Sequence, residues 1–457
     1  MTLSHAYSQT STGSTEVLNN LLEEVKSVIK QSRKSLFTTL ELTLHQAFAN
    51  AERGCMQQLL EQYDWDFPAF TSQGKRYRKV TRNSKPYMTL AGEVSVERSL
   101  YRTERNGPTH CPLELNTGLI EGFWTPQAAK QAVHLVSQLT PVEAERVFKE
   151  FGLMAPSKSS LDRLPKKLSQ YWEENQLVLD KKLQDGFKIP ESASKCAVSL
   201  DGVLIPTRYA RVLPSDSRWA EAACGTVSFF DDDGELISTR YLARMPEYKK
   251  KTLKQQLAAQ IHNIVTQRPD LDIIKVADGA RDNWTFLDGQ IKEGECVLDF
   301  YHAAQHLFVA MQCIHGKQSY ESICAFEKYR EILLTDHNGI DKVIRHLNYH
   351  SRKSPTLKTL KTEVTYFTRH RKRCDYARLK SENKPIGSGI VEAACKTVVQ
   401  MRLKRSGQHW DDKGGQAILT FRSILLSKQF DHAWEEVKNF YYKPIAAPNN
   451  VVKFPMI

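Results

Sequence analysis

The chain has 457 residues, 41% hydrophobic and 25% charged, with 64 Lys and Arg against 52 Asp and Glu for a formal net charge of +12. That length is enough for two or three domains of ordinary globular composition, and the lack of any run near ~20 apolar residues excludes a transmembrane helix. The positive balance points to a polyanionic partner without separating nucleic acid from a membrane surface or plain solubility.

In chain order, "MTLSHAYSQTSTGSTE" has no apolar core, so no signal peptide is expected and residues 1–14 are assigned to a disordered lead-in. Val17, Leu18, Leu21, Leu22, Val25, Val28 and Ile29, then residues 36–48, are apolar at helical spacing and predict long helices broken near Ser32. "YMTLAGEVSVERSLYR" (87–102) alternates at Val94, Val96 and Leu100 and turns at Ala91-Gly92, which predicts a β-hairpin. These elements form a first region, 15–115.

Residues 116–190 are helical again. Thr140 is placed as an N-cap before Pro141, with Gly152 ending that helix. A short connector and "SSLDRLPKKLSQYW" follow, a spacing compatible with a helix-turn-helix DNA-binding region.

From Lys195 the pattern is α/β. Strands are expected over "CAVSLDGVLIP" (196–206), a hairpin over 224–244 turned at Asp232, Asp233 and Gly234, and an amphipathic helix over 248–269. "DIIKVADGARDNW" (272–284) reads as a strand ending in Asp-Gly, and "ECVLDFYHAAQHLF" (295–308) as a strand passing into a helix. Such an order predicts a mixed sheet with helices on its faces. Residues 316–384 read as a helical, basic insertion within a domain running over 195–457.

Asp201 and Asp278 each follow an apolar strand and precede Gly. Singly, each is a turn aspartate; together they place two carboxylates at strand ends, where open sheets put their chemistry. Glu392 opens a helix in the most basic third of the chain, a place a carboxylate also favours through the helix dipole. Three carboxylates converging on one site raise one another's pKa, which calls for divalent cations, and Mg²⁺ or Mn²⁺ suits such oxygen ligands. Two ions per site can clamp the attacking and leaving oxygens of a phosphoryl displacement. Lys396, Arg402, Lys404 and Arg405, with Arg371, Lys372 and Arg373 in "RHRKRCDYARLK", are the candidate DNA-backbone contacts.

"SLDGV" (199–203), "VADGARDNW" (276–284), "LDFYHAAQHL" (298–307) and "GSGIVEAACK" (387–396) together resemble the bacterial insertion-sequence transposases of the DDE class. The resemblance spans roughly residues 195–425 and implies an RNase H-like catalytic domain with Asp201, Asp278 and Glu392 as its metal-binding triad. Asp299 and His302 match the Asp-x-x-His signature of Mutator-like transposases and are carried over as accessory residues. The implied protein cuts and joins DNA strands, with double-stranded DNA (terminal inverted repeats and target) and at least one further protomer as partners, in the cytoplasm at the nucleoid. Rival readings are an RNase H-like nuclease or junction resolvase without strand joining, and a non-catalytic DNA-binding regulator.

Other side chains have plainer readings. His302 and His306 lie four apart beside Asp299, but no fourth ligand completes a zinc site. Asp282 is expected to cap the helix after Asp278, Trp284 to be a core residue rather than a base-stacking platform, and Trp410 to lie in a loop near the active site. The nine scattered cysteines include no C-x-x-C pair, so a reduced intracellular protein with mostly buried thiols is expected.

Overall fold

A computed structural model describes residues 3–31, 36–152, 154–209, 218–354 and 356–446. Contacts divide the chain into two units, 1–171 with 431–457, and 172–430. Among the described residues no helix is long and apolar enough to cross a membrane.

The first unit begins with helices α1 (Leu3–Gln31) and α2 (Phe37–Glu61). Helix α1 therefore runs through residues 3–14, assigned above to a disordered lead-in; the expected break near Ser32 falls outside the described residues. Strands β1 (Ala69–Ser72), β2 (Lys75–Thr89) and β3 (Gly92–Arg102) form an antiparallel sheet in that order. The hairpin turns at Leu90–Ala91, one residue before the Ala91-Gly92 turn expected, and β1 carries no clear alternation in the sequence. Val94 and Val96 are buried, but beyond them Ser99 and Tyr101 are the buried residues and Leu100 is only half-buried. The phase changes because both polar side chains serve the connection before β1: Ser99 donates to Asp64 and Tyr101 accepts from the Phe67 amide.

Helices α3 (Pro112–Thr117), α4 (Pro126–Gln138), α5 (Pro141–Phe151) and α6 (Lys158–Glu174) follow. Thr140 and Glu143 form a reciprocal capping box at α5, and Gly152 ends it in the left-handed region at φ 73°. The 116–190 segment is not one unit: the division falls at residue 171. Residues from Asp431 onward join this first unit, where Asp431 pairs with Lys130 and Phe440 stacks on Tyr171 at 3.7 Å.

The second unit continues with α7 (Gln176–Asp185), β4 (Lys195–Pro206), β5 (Trp219–Phe230), β6 (Leu236–Arg244), α8 (Lys251–Gln267), β7 (Asp272–Ala277), α9 (Arg281–Gln290), β8 (Glu295–Leu298) and α10 (Phe300–His315). Its five strands lie in the order β6-β5-β4-β7-β8, with β4, β7 and β8 parallel and β5 antiparallel to both its neighbours. This is the mixed sheet the strand order called for, and it is compatible with an RNase H-like fold.

Both faces of the sheet are covered. Ala223, Val227 and Phe229 of β5 join one core with α8, α9 and α10, while Ala222 and Cys224, pointing the other way, join a second. That second core is supplied by α15 (Gly389–Ala394), a π-helical segment Cys395–Gln400, α16 (Met401–Leu403) and α17 (Asp412–Leu426). Between α10 and α15 lie α11 (Tyr320–Thr335), α12 (Gly339–Lys353), α13 (Lys358–His370) and α14 (Tyr376–Ser381), the helical segment expected at 316–384. Leu333, Val343, Leu347, Leu360, Phe367 and Tyr376 belong to the same apolar core as β4 and β7, so this segment is an extension of the sheet's core. The last helix, α18 (Phe430–Tyr441), leads into the first unit.

Candidate active site

Parallel pairing of β4 with β7 matches Ser199 to Val276 and stops there. Asp201 on β4 and Asp278, one residue past the end of β7, each lie two residues further along, so the register sets them level. Asp201 is not at the end of its strand, as the sequence suggested: β4 continues to Pro206 on its antiparallel partner β5. The parallel pairing with β7 ends two residues before Asp201, and this leaves its carboxylate where β4 no longer has β7 beside it. Its cross-strand partner is Cys224, in the core beneath α15.

Glu392 lies in the first turn of α15 and Cys395 one turn later, where the helix widens into its π segment. Residues three apart share a helix face, and the Cys395 thiol donates to Asp201 Oδ2 at 3.8 Å. The same turn therefore aims Glu392 at Asp201. A π segment inside a helix leaves its carbonyls poorly paired; here buried Arg422 of α17 donates to the carbonyls of Thr397 and Val398 at 2.9 and 3.1 Å.

Electrostatics link the same groups. Burial pushes the Asp201 carboxyl up, the Gly202 amide pulls it down, and the charges of Asp278 and Glu392 push it up again, for a net rise. Asp278 Oδ1 accepts from the Ala280 amide at 3.0 Å and from Asn283 at 3.1 Å. The Ser388 hydroxyl donates to Glu392 Oε1 at 3.2 Å. None of these contacts neutralises a charge. Lys250, whose charge lowers Asp201, is itself paired with Glu221 at 3.0 Å.

Asp299 and His302 complete the cluster. Asp299 is fully buried and caps α10, accepting from the His302 amide at 2.6 Å and its ring Nδ1 at 3.1 Å, while its other oxygen accepts from the Ser388 amide. One carboxylate thus ties the start of α10 to the start of α15. Burial pushes its pKa up, yet the hydrogen bonds from His302 and Ser388 outweigh that and hold it low. The hydrogen bond to Asp299, together with the charges of Asp299, Asp278 and Glu392, outweighs burial and raises His302, favouring the imidazolium. Ligand atoms of Asp299, His302 and Glu392 all lie within 4.8 Å of one another, a group that could hold a metal ion. Among the described residues Asp201 and Asp278 stand outside that tight group; the charge of Asp278 acts on His302, and that of Glu392 on Asp201.

His306 does not share this cluster: its Nδ1 pairs with Glu363 at 2.7 Å and its ring stacks on Tyr366 at 3.7 Å. Asp282 is not a cap either. It sits in the first turn of α9 and forms an ion pair with Lys254, while Asp278 takes the amide at the helix start. Trp284 is buried, donates to the Asp278 carbonyl at 2.6 Å and carries Arg373 over its ring. Trp410 donates to the Leu403 carbonyl and bridges to Thr207, just past the end of β4.

Of the cationic candidates, Lys396, Lys404, Arg371 and Lys372 are exposed and Arg405 and Arg373 half-buried. Arg371 and Arg373 pair with Asp341 and Asp288. Arg402 is 1% exposed beside the Trp410 ring, so it serves the fold and not a DNA backbone.

Three site residues went unread in the sequence. Ser388 and Cys395 flank Glu392 but carry no charge pattern. Tyr366 of α13 covers the Asp278 turn, where a Cβ on Gly279 would lie 2.4 Å from its ring, and its buried hydroxyl has no hydrogen-bond partner. The glycine after Asp278 is therefore required by this close approach.

No family model matches the chain, and no curated protein matches it. Among solved structures, the Drosophila P element transposase strand transfer complex is similar, at 11% identity over 70% of this chain and 82% of that chain, with a TM-score of 0.24. A likeness of that size carries no weight in assigning a function.

Proposed function

We propose that the chain is a DDE-type DNA transposase, with an RNase H-like second unit holding Asp201, Asp278 and Glu392 as its catalytic carboxylates. The observation that carries this reading is Asp201 on β4 level with Asp278, one residue past the end of the parallel strand β7, with the charges of Asp278 and of Glu392 on α15 both acting on Asp201. Their mutual repulsion raises Asp201, which fits a donor set made for hard divalent cations. Mg²⁺ or Mn²⁺, two ions per site, would supply the charge that activates a water or 3′-hydroxyl and stabilises the leaving oxygen.

The chain's own groups do the rest. Asp299 positions His302 and the Ser388 turn that carries Glu392. Asp299 holds His302 through Nδ1 and favours its protonated form, which suits contact with a phosphate oxygen. Tyr366 presents an unpartnered hydroxyl beside Asp278. Lys396, one residue beyond Cys395, and Lys372 and Lys404 hold the DNA backbone. The 116–190 helices are assigned to DNA binding.

Purified protein incubated with Mg²⁺ and DNA carrying the sequences that flank its own gene should nick that DNA at the ends. Asp278→Asn and Glu392→Gln should each lose on the order of 10²–10³-fold in rate, the scale of removing one preorganised electrostatic group, with DNA binding retained. Variants that cut as fast as the parent would remove the triad from the chemistry.

A further inference from the structure

We infer that His315, His346 and His350 form a metal site apart from the carboxylates, one that binds Zn²⁺ or a similar transition-metal ion and fastens α10 to α12. His346 and His350 are four apart and so share one face of α12. Their ring centroids are 4.6 Å apart at 62°. His315 is the last residue of α10, and its ring centroid lies 6.0 Å from that of His350 at 56°. Two imidazoles on one tetrahedral ion, each nitrogen about 2.0–2.1 Å from it, set their ring centres roughly 5 Å apart. The two spacings fall on either side of that value, with His350 between its neighbours.

The surroundings suit a cation. Nε2 of His346 is buried and has no hydrogen-bond partner among the described residues, and a buried ring nitrogen left unpaired costs stability until something fills its place. Stacking on Tyr329 at 4.3 Å holds that ring in position. His315 ends α10 and His350 lies in the last turn of α12, so the negative ends of two helices lie beside the trio. Burial, then the neighbouring charges, lowers His346 to about 4 and lowers His350 as well. Both are therefore neutral imidazoles at physiological pH, the form that ligates metals. Of the lysines whose charge reaches these rings, Lys328 rests over the Tyr329 ring and Lys353 over the Tyr349 ring.

As the rings stand, their nitrogens do not all lie within 4.8 Å of one another, as the ligand atoms of Asp299, His302 and Glu392 do. His315 is exposed at a helix end, so a change of rotamer at that one side chain closes the set. Ligand type selects the ion. Three imidazoles with no carboxylate suit Zn²⁺, Ni²⁺ or Cu²⁺, whereas Mg²⁺, Ca²⁺ and Mn²⁺ suit carboxylate, carbonyl and water oxygens. With three protein ligands, water takes the fourth position. The ion would tie down the far end of α10, the helix whose first turn carries His302. None of this depends on the catalytic reading; a chain that never cut DNA would hold the same ion.

The test is calorimetric titration of Zn²⁺ into the full chain, free of any histidine tag and stripped with EDTA, in excess Mg²⁺ to occupy the carboxylates. The expected result is a zinc bound with a micromolar or lower Kd, and Co²⁺ in its place should give the visible absorption of a four-coordinate ion. His346→Phe, which keeps the stack on Tyr329, and His315→Ala, at an exposed position that cannot unfold the chain, should each weaken that binding by about 100-fold, the upper end of what losing a merely supporting partner does. Zn²⁺ should raise the melting temperature of the parent and not of either variant. Glu392→Gln should bind the same zinc as the parent. A parent with no zinc bound more tightly than about 0.1 mM overturns the inference. So does binding that survives both histidine changes, or binding lost in Glu392→Gln, which would place the ion among the carboxylates.

Discussion

Asp201 carries a cost that the fold imposes. Folding buries it and sets Asp278 and Glu392 near it, so its pKa is raised above that of the unfolded chain. The carboxylate then ionises more readily when unfolded, and the stability it costs grows as pH climbs from the ordinary carboxylate range through the raised value, above which the cost is fully present. Asp201→Asn should therefore melt at or above the parent temperature in the absence of divalent ions. Mg²⁺ at a hundredfold excess over its Kd should stabilise the parent by about 2.7 kcal/mol and the variant by clearly less. Thermal denaturation with and without Mg²⁺ reads both effects. A variant that melts well below the parent in EDTA, or gains as much from Mg²⁺, would show that Asp201 shares no cation with its neighbours.

At the scale of elements, α12 presents His346 stacked on Tyr329 at 4.3 Å, with the His350 ring 4.6 Å away. Burial first, then the nearby charges of His350, His315 and Lys328, lower its pKa to about 4. For a histidine lowered in this way, the unfolded chain takes up a proton near pH 6.5 while the folded chain does not. Stability is therefore intact above about pH 6.5 and falls as pH drops toward 4. His346→Phe keeps the stack on Tyr329 and should flatten that fall when melting is followed from pH 7 to 5. The remaining slope belongs to groups such as His370, also lowered to about 4 by burial and by Arg373 and Arg369. An unchanged slope would mean that His346 is already charged in the fold.

Much of the element layout was legible because local rules and tertiary packing agree. Thr140-Pro141 and Gly152 bound α5 as capping chemistry requires, and Asp232–Gly234 turn the β5–β6 hairpin. Tertiary contacts decided the rest. The side of the sheet on which Asp201 opens depends on where pairing with β7 stops, and no residue within β4 records that. Asp282 looked like a cap because its position suits one, yet Lys254 across the packing claims it. Arg402 reads as a surface cation among its neighbours; only the packing of α16 reveals it as buried.

For the molecule as a whole, the excess of positive charge makes its own forecast. DNA affinity should fall linearly with salt on logarithmic axes, with a slope near −0.9 for each phosphate neutralised. Lys396→Ala should lower that slope by about one without unfolding the chain. Arg402→Ala should instead lower the melting temperature and leave the salt slope of the folded fraction unchanged. A slope unaffected by Lys396→Ala would move the DNA path away from α15.

We propose that Asp201, Asp278 and Glu392 act on one scissile phosphate and then join the freed end. It is tested most directly by strand transfer: pre-cut end DNA with a free 3′-hydroxyl, a supercoiled target plasmid, Mg²⁺, and either the parent or Glu392→Gln. If the three carboxylates are the catalytic set, the parent joins the labelled end to the plasmid and the variant does not. Joining by Glu392→Gln at the parent rate, or cleavage by the parent with no joined product under any divalent ion, would contradict it.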